Sequence, residues 1–136
     1  MPNAFVDTNI LVYAAEESVP TCRKTGIARE LLLQPNLHLS IQVLNEFTAN
    51  ARHPGKLNLS VEEEEDWLSQ WLRLTILPLT IETYLNALRI HLNHGLSHWD
   101  SLIVASAMLA KCGVLYTEDL NPGQEIQGVR VINPFA

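Results

Sequence analysis

Asp7, Glu46, Asp100 and Asp119 are acidic residues set far apart in this chain, each where an apolar segment ends or turns. Asp7 follows Ala4-Phe5-Val6 and opens Asp7-Thr8-Asn9, while Asp119 follows Val114-Leu115-Tyr116-Thr117 and opens Asp119-Leu120-Asn121-Pro122-Gly123. Asp100 heads a segment that is apolar almost all round, and Glu46 lies inside another helical stretch. Carboxylates brought together repel one another unless a cation sits between them. Mg²⁺ and Mn²⁺ prefer oxygen ligands and complete their shell with waters and phosphate oxygens. Such an ion activates a bound water and neutralises charge on a phosphate, so the chemistry this set suits is phosphodiester hydrolysis. Each acid also has an ordinary role. Asp7 could cap a short helix, Asp119 could make an Asx-turn, Asp100 could be a helix N-cap or first-turn residue, and Glu46 could be solvated. Asn9 and Thr8 could position a carboxylate or a water, or serve the turn alone, which is the favoured reading for Thr8.

The elements that must position these residues alternate between short β-like runs and amphipathic helices. Ala4 to Val6 reads as a strand, followed by a turn or two of helix over Ile10 to Ala15. Pro20 separates that from a helix near Cys22 to Leu33. Leu37 to Leu39 is a weak strand, and Ser40 caps a helix to about Arg52 that His53-Pro54-Gly55 stops. Ser60 and Glu63 have capping-box spacing and open a helix from Val61 to about Arg73. Leu74 to Leu79 is strand-like, with Pro78 placing it near an edge. Thr80 caps a helix to His94 that Gly95 closes. A further helix runs from about Asp100 to Lys111, closed by Gly113, and Val114–Thr117 and Val129–Ile132 are the last strands, with a Gly/Pro loop between. Strands alternating with helices imply a parallel sheet covered on both faces. The apolar run Leu102 to Ala110 marks the last helix as buried against it. In a parallel sheet Asp7 and Asp119 share one edge. Asp100, at the head of the helix leading into the Val114–Thr117 strand, is expected at the opposite edge unless that helix reaches across.

No repeat or linker divides the 136 residues, which read as a single α/β domain over 1–136. Hydrophobic residues make up 47% and charged residues 18%, a globular balance, and no apolar run is long enough to span a bilayer. The N-terminus lacks the pattern of a signal peptide, and Cys22 and Cys112 read as isolated reduced thiols. A cytoplasmic protein without a membrane partner is the expectation. The net charge of −6 argues against simple electrostatic binding of nucleic acid. Cations held by the four acids would reverse that locally.

Asp7-Thr8-Asn9-Ile10-Leu11, Asn45-Glu46, Trp99-Asp100-Ser101-Leu102-Ile103-Val104-Ala105 and Tyr116-Thr117-Glu118-Asp119-Leu120 resemble, in this order and spacing, the motifs of PIN-domain ribonucleases. The closest likeness is to the VapC-like toxins of type II toxin–antitoxin pairs, and it extends to the Val129–Phe135 ending. The resemblance implies a three-layer α/β/α fold with a central parallel sheet and a Mg²⁺- or Mn²⁺-dependent endoribonuclease. It implies that Asp100 converges with the other acids, and that Asp7, Glu46, Asp100 and Asp119 are the catalytic and metal-binding residues. Asn9 and Thr117 match supporting polar positions. It further implies an RNA substrate, a cognate antitoxin and a homodimer.

Glu118 reads as a surface acid, because adjacent side chains on a strand end point to opposite faces. Arg52, His53 and Lys56 could meet RNA phosphates or merely close a helix. Trp99 reads as core in preference to a base-stacking residue. His91 and His94 lack the further ligands of a zinc site. Trp67, Trp71, Leu68 and Leu72 form an apolar stripe read as core packing, or as part of a dimer face. The alternatives are a non-catalytic PIN-like module binding RNA or protein, and an RNA-processing nuclease outside a toxin–antitoxin pair. An Asp-nucleophile phosphatase ranks low, since Asp7-Thr8-Asn9 lacks a second aspartate. Neither a nucleotide-binding glycine loop nor a G-x-S-x-G elbow occurs.

Overall fold

The computed structural model describes residues 2–17 and 22–136. Five parallel strands, β1 (Ala4–Val6), β2 (Leu37–Ser40), β3 (Thr75–Leu77), β4 (Val114–Tyr116) and β6 (Val129–Ile132), build the sheet, and β5 (Glu125–Ile126) pairs antiparallel with β6. The strand order is β3-β2-β1-β4-β6-β5. Among the described residues six helices cover the sheet: α1 (Thr8–Ala15), α2 (Cys22–Leu31), α3 (Ile41–Arg52), α4 (Val61–Trp71), α5 (Ile81–His94) and α6 (His98–Leu109). The architecture is three-layer α/β/α, as expected. Strands buried on both faces read as continuous apolar runs, which is why Ala4, Phe5 and Val6 are all buried. Phe5, Leu39, Leu115 and Val131 fill the core from the sheet, and Ile10, Val43 and Val104 meet them from α1, α3 and α6.

Successive strands step away from β1 through β2 to β3, and the chain then returns to place β4 on the other side of β1. The crevice beyond the C-terminal ends of β1 and β4 is therefore the switch point where open α/β sheets bind ligands. Chain termini of the helices follow local chemistry. Ser40 caps α3, Ser60 and Glu63 form a capping box on α4, and Thr80 caps α5, which ends at Gly95 with φ 70. β3 is at the sheet edge, as Pro78 predicts.

Several expectations need correction. α6 starts earlier than Asp100: Ser97 is its N-cap and accepts a hydrogen bond from the Asp100 amide, leaving Asp100 inside the first turn. Its C-terminus is closed by Lys111 at φ 57, with Cys112 N–H reaching Ala107 C=O, and Gly113 does not serve as the cap. The Gly/Pro loop contains β5, paired through a two-residue turn in which Gln127 and Gly128 both have positive φ. A two-residue strand and a Gln in place of Asn or Asp left no readable hairpin signal. α2 ends at Leu31 rather than Leu33. The expected break at Pro20 lies outside the described residues. No helix among the described residues is long and apolar enough to cross a membrane.

Candidate active site

Asp7 stands directly after β1 as the N-cap of α1, and its side chain is buried, 6% exposed. One carboxylate oxygen, Oδ1, accepts from its neighbour's amide, Thr8 N, at 2.7 Å. The other, Oδ2, accepts from the Thr117 hydroxyl at 2.9 Å. Thr117 lies just beyond β4 and is fully buried. Its Oγ1 also accepts from the Asp119 amide at 3.1 Å and from Asn9 Nδ2 at 3.2 Å. That hydroxyl thus uses its one proton and both lone pairs. Asn9 Nδ2 additionally donates to Asp119 Oδ2 at 3.0 Å. Two donor contacts fix the amide orientation of Asn9, whose Oδ1 is buried without a partner. A single chain of hydrogen bonds therefore sets Asp7 and Asp119 relative to each other across the β1–β4 crevice.

Glu46 joins from a third element. α3 leaves the end of β2 at Ser40, on the same sheet edge, and Glu46 accepts at Oε1 from the Thr8 hydroxyl at 2.8 Å. Thr8 was expected to serve the turn alone, and that is corrected here. Its backbone does start α1, but its hydroxyl ties Glu46 to the residue next to Asp7. Nothing in the sequence could announce a partner 38 positions away.

Asp100 lies on the same edge as the other three, contrary to the position expected from chain order. A helix that feeds a parallel strand runs antiparallel to that strand, so its first turn lies at the strand's C-terminal edge. α6 obeys this, and the Gln42 side chain at the start of α3 donates to Trp99 C=O at 3.2 Å, joining the two helix starts. Asp100 is partly buried and feels the negative charge of Asp119.

The electrostatics record this convergence. Burial pushes the Asp7 carboxyl up to about 7; bonds from Thr8 and Thr117 oppose the rise, and the charges of Asp119 and Glu46 add to it. Burial raises Asp100 as well, a bond with Ser97 opposes that, and Asp119 adds to it. All four acids are thus brought to one region, and no cationic side chain bonds any of them among the described residues. Among the described residues, no three acidic, histidine or cysteine side chains are placed closely enough to enclose a metal ion. The donor set still fits Mg²⁺ or Mn²⁺, since it is all oxygen and Asp7 is a desolvated carboxylate lacking a positive partner.

Glu118 turns the other way, as expected from its position beside Asp119. Its carboxylate accepts from Tyr13 OH at 2.6 Å and from Lys24 Nζ at 2.9 Å, and so is already satisfied. Arg52 forms a two-point pair with Glu64 at 2.8 and 3.0 Å, which engages its guanidinium away from the acids. His53 Nδ1 accepts from Gly55 N at 2.9 Å in the turn that ends α3. Trp71 is buried against Phe47 and stacked on Trp67, so the core reading holds for both tryptophans, while Leu68 and Leu72 stay exposed. Trp99 is not core: it is 62% exposed beside Asp100. α6 buries Ser101 to Ala107, while His98 and Trp99 in its first turn are both exposed. A cleft of about 600 Å³, lined by Arg29, Leu33, Trp67 and Trp71 among others, contains none of the four acids.

The model of the PIN domain family matches residues 4–123. No curated protein sequence matches the chain significantly. Among solved structures, a toxin–antitoxin complex from Klebsiella pneumoniae superimposes with a TM-score of 0.74 at 19% identity, covering 97% of this chain and 98% of that one. VapBC2 from Rickettsia felis, bound to a DNA fragment from its promoter, gives 0.64 at 20% identity over 94% and 96% of the two chains. VapC20 of Mycobacterium tuberculosis, a toxin that cleaves the sarcin–ricin loop, gives 0.65 at 18% identity over 86% and 92%. With the family model spanning most of its length and the acids gathered at the edge where β1 and β4 part, this chain belongs to the PIN domain family.

Proposed function

We propose that the chain is a Mg²⁺- or Mn²⁺-dependent endoribonuclease acting as the toxin of a toxin–antitoxin pair, with Asp7, Glu46, Asp100 and Asp119 as its catalytic and metal-binding acids. The observation that carries the reading is the buried, uncompensated Asp7 carboxylate with the charges of Asp119 and Glu46 upon it. Family membership gives the chemistry its class, and the toxins among the similar structures, one of them a cutter of the sarcin–ricin loop, favour RNA as substrate. The toxin–antitoxin complexes among them favour a protein partner that restrains the enzyme in the cytoplasm. The working unit is a homodimer.

Asp7, Asp100, Asp119 and Glu46 would hold the ion. When bound, it supplies a water of lowered pKa and positive charge for the phosphate. The chain's own residues do the rest. Thr117 holds Asp7 and the Asp119 backbone, Asn9 orients the Asp119 carboxylate, and Thr8 holds Glu46 Oε1, leaving Oε2 free. These supporting bonds fix ligand orientation before substrate arrives, which is where such outer contacts act. A non-catalytic binding module would have no use for four acids assembled without cationic partners.

The test is cleavage of a mixed RNA pool by purified protein with Mg²⁺, with Mn²⁺ and with EDTA, alongside Asp7→Asn. Metal-dependent cutting that the variant loses supports the reading. Cutting that survives EDTA, or that Asp7→Asn retains in full, sinks the four-acid centre.

A further inference from the structure

Among the phenylalanine, tyrosine and tryptophan side chains of the described residues, Trp99 (62%) and Tyr84 (49%) are the exposed ones. They come from different helices, α6 and α5, yet they meet through the exposed His98. The His98 ring centroid lies 5.8 Å from Tyr84 and 5.1 Å from Trp99, at interplanar angles of 62° and 69°. The row they form ends at Trp99, the residue before Asp100. A single exposed aromatic residue is ordinary on a protein surface. A contiguous row of three, ending one residue from a proposed metal ligand, is a candidate ligand surface.

The row keeps one plane open. A T-shaped contact occupies at most one face of the indole, so the other face is left to solvent. The backbone beneath it is fixed. Gln42, 4% exposed, donates from Nε2 to Trp99 C=O at 3.2 Å, which ties the ring's carrier to α3, the helix that holds Glu46. Ser97 Oγ accepts from the Asp100 amide at 3.1 Å in the same turn. A planar side chain on a pinned backbone loses little conformational freedom when it binds. Consecutive helix residues diverge by about 100°, with Cα atoms about 3.8 Å apart, so the indole flanks the crevice and does not fill it.

RNA offers such a surface charged phosphates and neutral base faces. The net charge of −6 gives this chain little general attraction for phosphates, and no cationic side chain bonds the crevice acids among the described residues. Affinity outside the metal centre therefore has to come from bases. Each base stacked on an aromatic side chain strengthens binding roughly 5- to 150-fold, with little regard to sequence. Only an unpaired base is free to leave its own stack and do so. We propose that Trp99 takes the face of an unpaired base beside the scissile phosphate, with His98 and Tyr84 bracing the indole. This rests on RNA being the substrate, and it adds the residue that selects an unstacked nucleotide next to the cut.

The experiment pairs binding with kinetics. Binding is followed by tryptophan fluorescence in the Asp7→Asn background, which should not cut and carries one crevice charge fewer. The probes are a single-stranded RNA of mixed sequence, about ten nucleotides long, and an abasic strand of the same length and charge. The RNA should quench the emission and bind at least about tenfold tighter than the abasic strand. Trp99→Leu should remove both the quench and that preference, while Trp99→Phe, which keeps a ring, should retain most of the preference. In the cutting enzyme Trp99→Leu should raise KM about tenfold with kcat within about twofold, because the stacked base is held alike before and during reaction. Circular dichroism should be unchanged, since the side chain is exposed. Equal affinity for the two strands, or a Trp99→Leu enzyme with the KM of wild type, overturns the stacking role, and metal-dependent cutting by wild type would still carry the nuclease. A fall in kcat alone would make Trp99 a prop for Asp100 and overturn it too. A wild type that neither binds nor cuts RNA overturns the nuclease and the stacking role together.

Discussion

Glu118 and Asp119 are neighbours in sequence at the end of β4, and the protein treats them in opposite ways. Glu118 turns toward α1 and α2, where Tyr13 donates to one oxygen and Lys24 to the other, with the Lys24 ammonium also over the Tyr13 ring. Asp119 turns toward the crevice, where its side-chain donor is the neutral Asn9 amide and its electrostatic neighbours are Asp7 and Asp100. One acid is neutralised as part of the scaffold. The other adds to an accumulation of negative charge that costs stability. A fold tolerates such an accumulation where a ligand supplies the missing charge, and between these two neighbours it is the cationic partner that Glu118 has and Asp119 lacks.

The largest effects should follow from deleting charge on the crevice side. Asp7→Asn or Asp100→Asn removes a proposed ligand while keeping shape. The expected loss in kcat/KM is roughly a thousandfold or more, corresponding to about 4 kcal/mol of transition-state stabilisation. Circular dichroism should be unchanged. Full activity in either variant would erase the contrast between the two sides of β4.

The same Asp7→Asn change should stabilise the apo protein. A carboxyl whose folded pKa is about 7, against 3.8 when exposed, binds an extra proton in the folded state between those values. Its contribution to stability is whole below pH ~4 and is lost as pH rises through about 7. The asparagine does not titrate and escapes that loss. Above pH 7 the variant should therefore unfold at higher temperature than wild type, with a gain of at most about 4 kcal/mol, and the two should converge near pH 4. The real gain will be smaller. The new N–H faces a Thr117 hydroxyl whose lone pairs already serve Asp119 and Asn9. Mg²⁺ should raise the melting temperature of wild type above pH 7 and leave the variant unmoved. Equal melting curves at pH 8 would mean that Asp7 is compensated after all.

Thr117 carries the next effect. Thr117→Val keeps volume but removes the donor to Asp7 and the acceptor for the Asp119 amide and Asn9. Activity should fall about 10- to 100-fold, the usual range for a contact that orients a ligand. Stability should fall by about 1–3 kcal/mol, because buried donors lose their partner. A variant that loses stability but keeps kcat would reduce Thr117 to a structural role.

The sequence carried the fold through local signals. Ser40, the Ser60–Glu63 pair, Thr80 and Gly95 mark helix ends by short-range chemistry, and the apolar run of α6 announces its burial. Asp7 and Asp119 were legible because both directly follow strands. Asp100 was misplaced by reasoning from chain order without the antiparallel run of a crossover helix, and only the family likeness placed it with the others. The Thr8–Glu46 bond and the Tyr13–Lys24–Glu118 cluster were illegible because each joins residues distant in sequence through side-chain rotamers, which no periodicity encodes. Trp99 misled for a related reason: the apolar segment it precedes is buried, but the first helical turn still has an outward position.

Glu118→Gln is the smallest expected effect and the sharpest control. It removes one unit of charge a single residue from Asp119, yet on the side where Lys24 and Tyr13 supply compensation. The Lys24–Glu118 pair is partly exposed, at 37% and 22% of its side-chain surfaces, so its loss should cost no more than about 1 kcal/mol. Cleavage should stay within about twofold of wild type, since a 1 kcal/mol scaffold change far from unfolding the protein leaves the crevice geometry intact. Adding Lys24→Met should change little further, because removing both partners leaves no uncompensated charge. If Glu118→Gln instead abolished cleavage while Lys24→Met did not, Glu118 would belong with the crevice acids, and its present bonds to Tyr13 and Lys24 would be a resting arrangement that metal or RNA displaces.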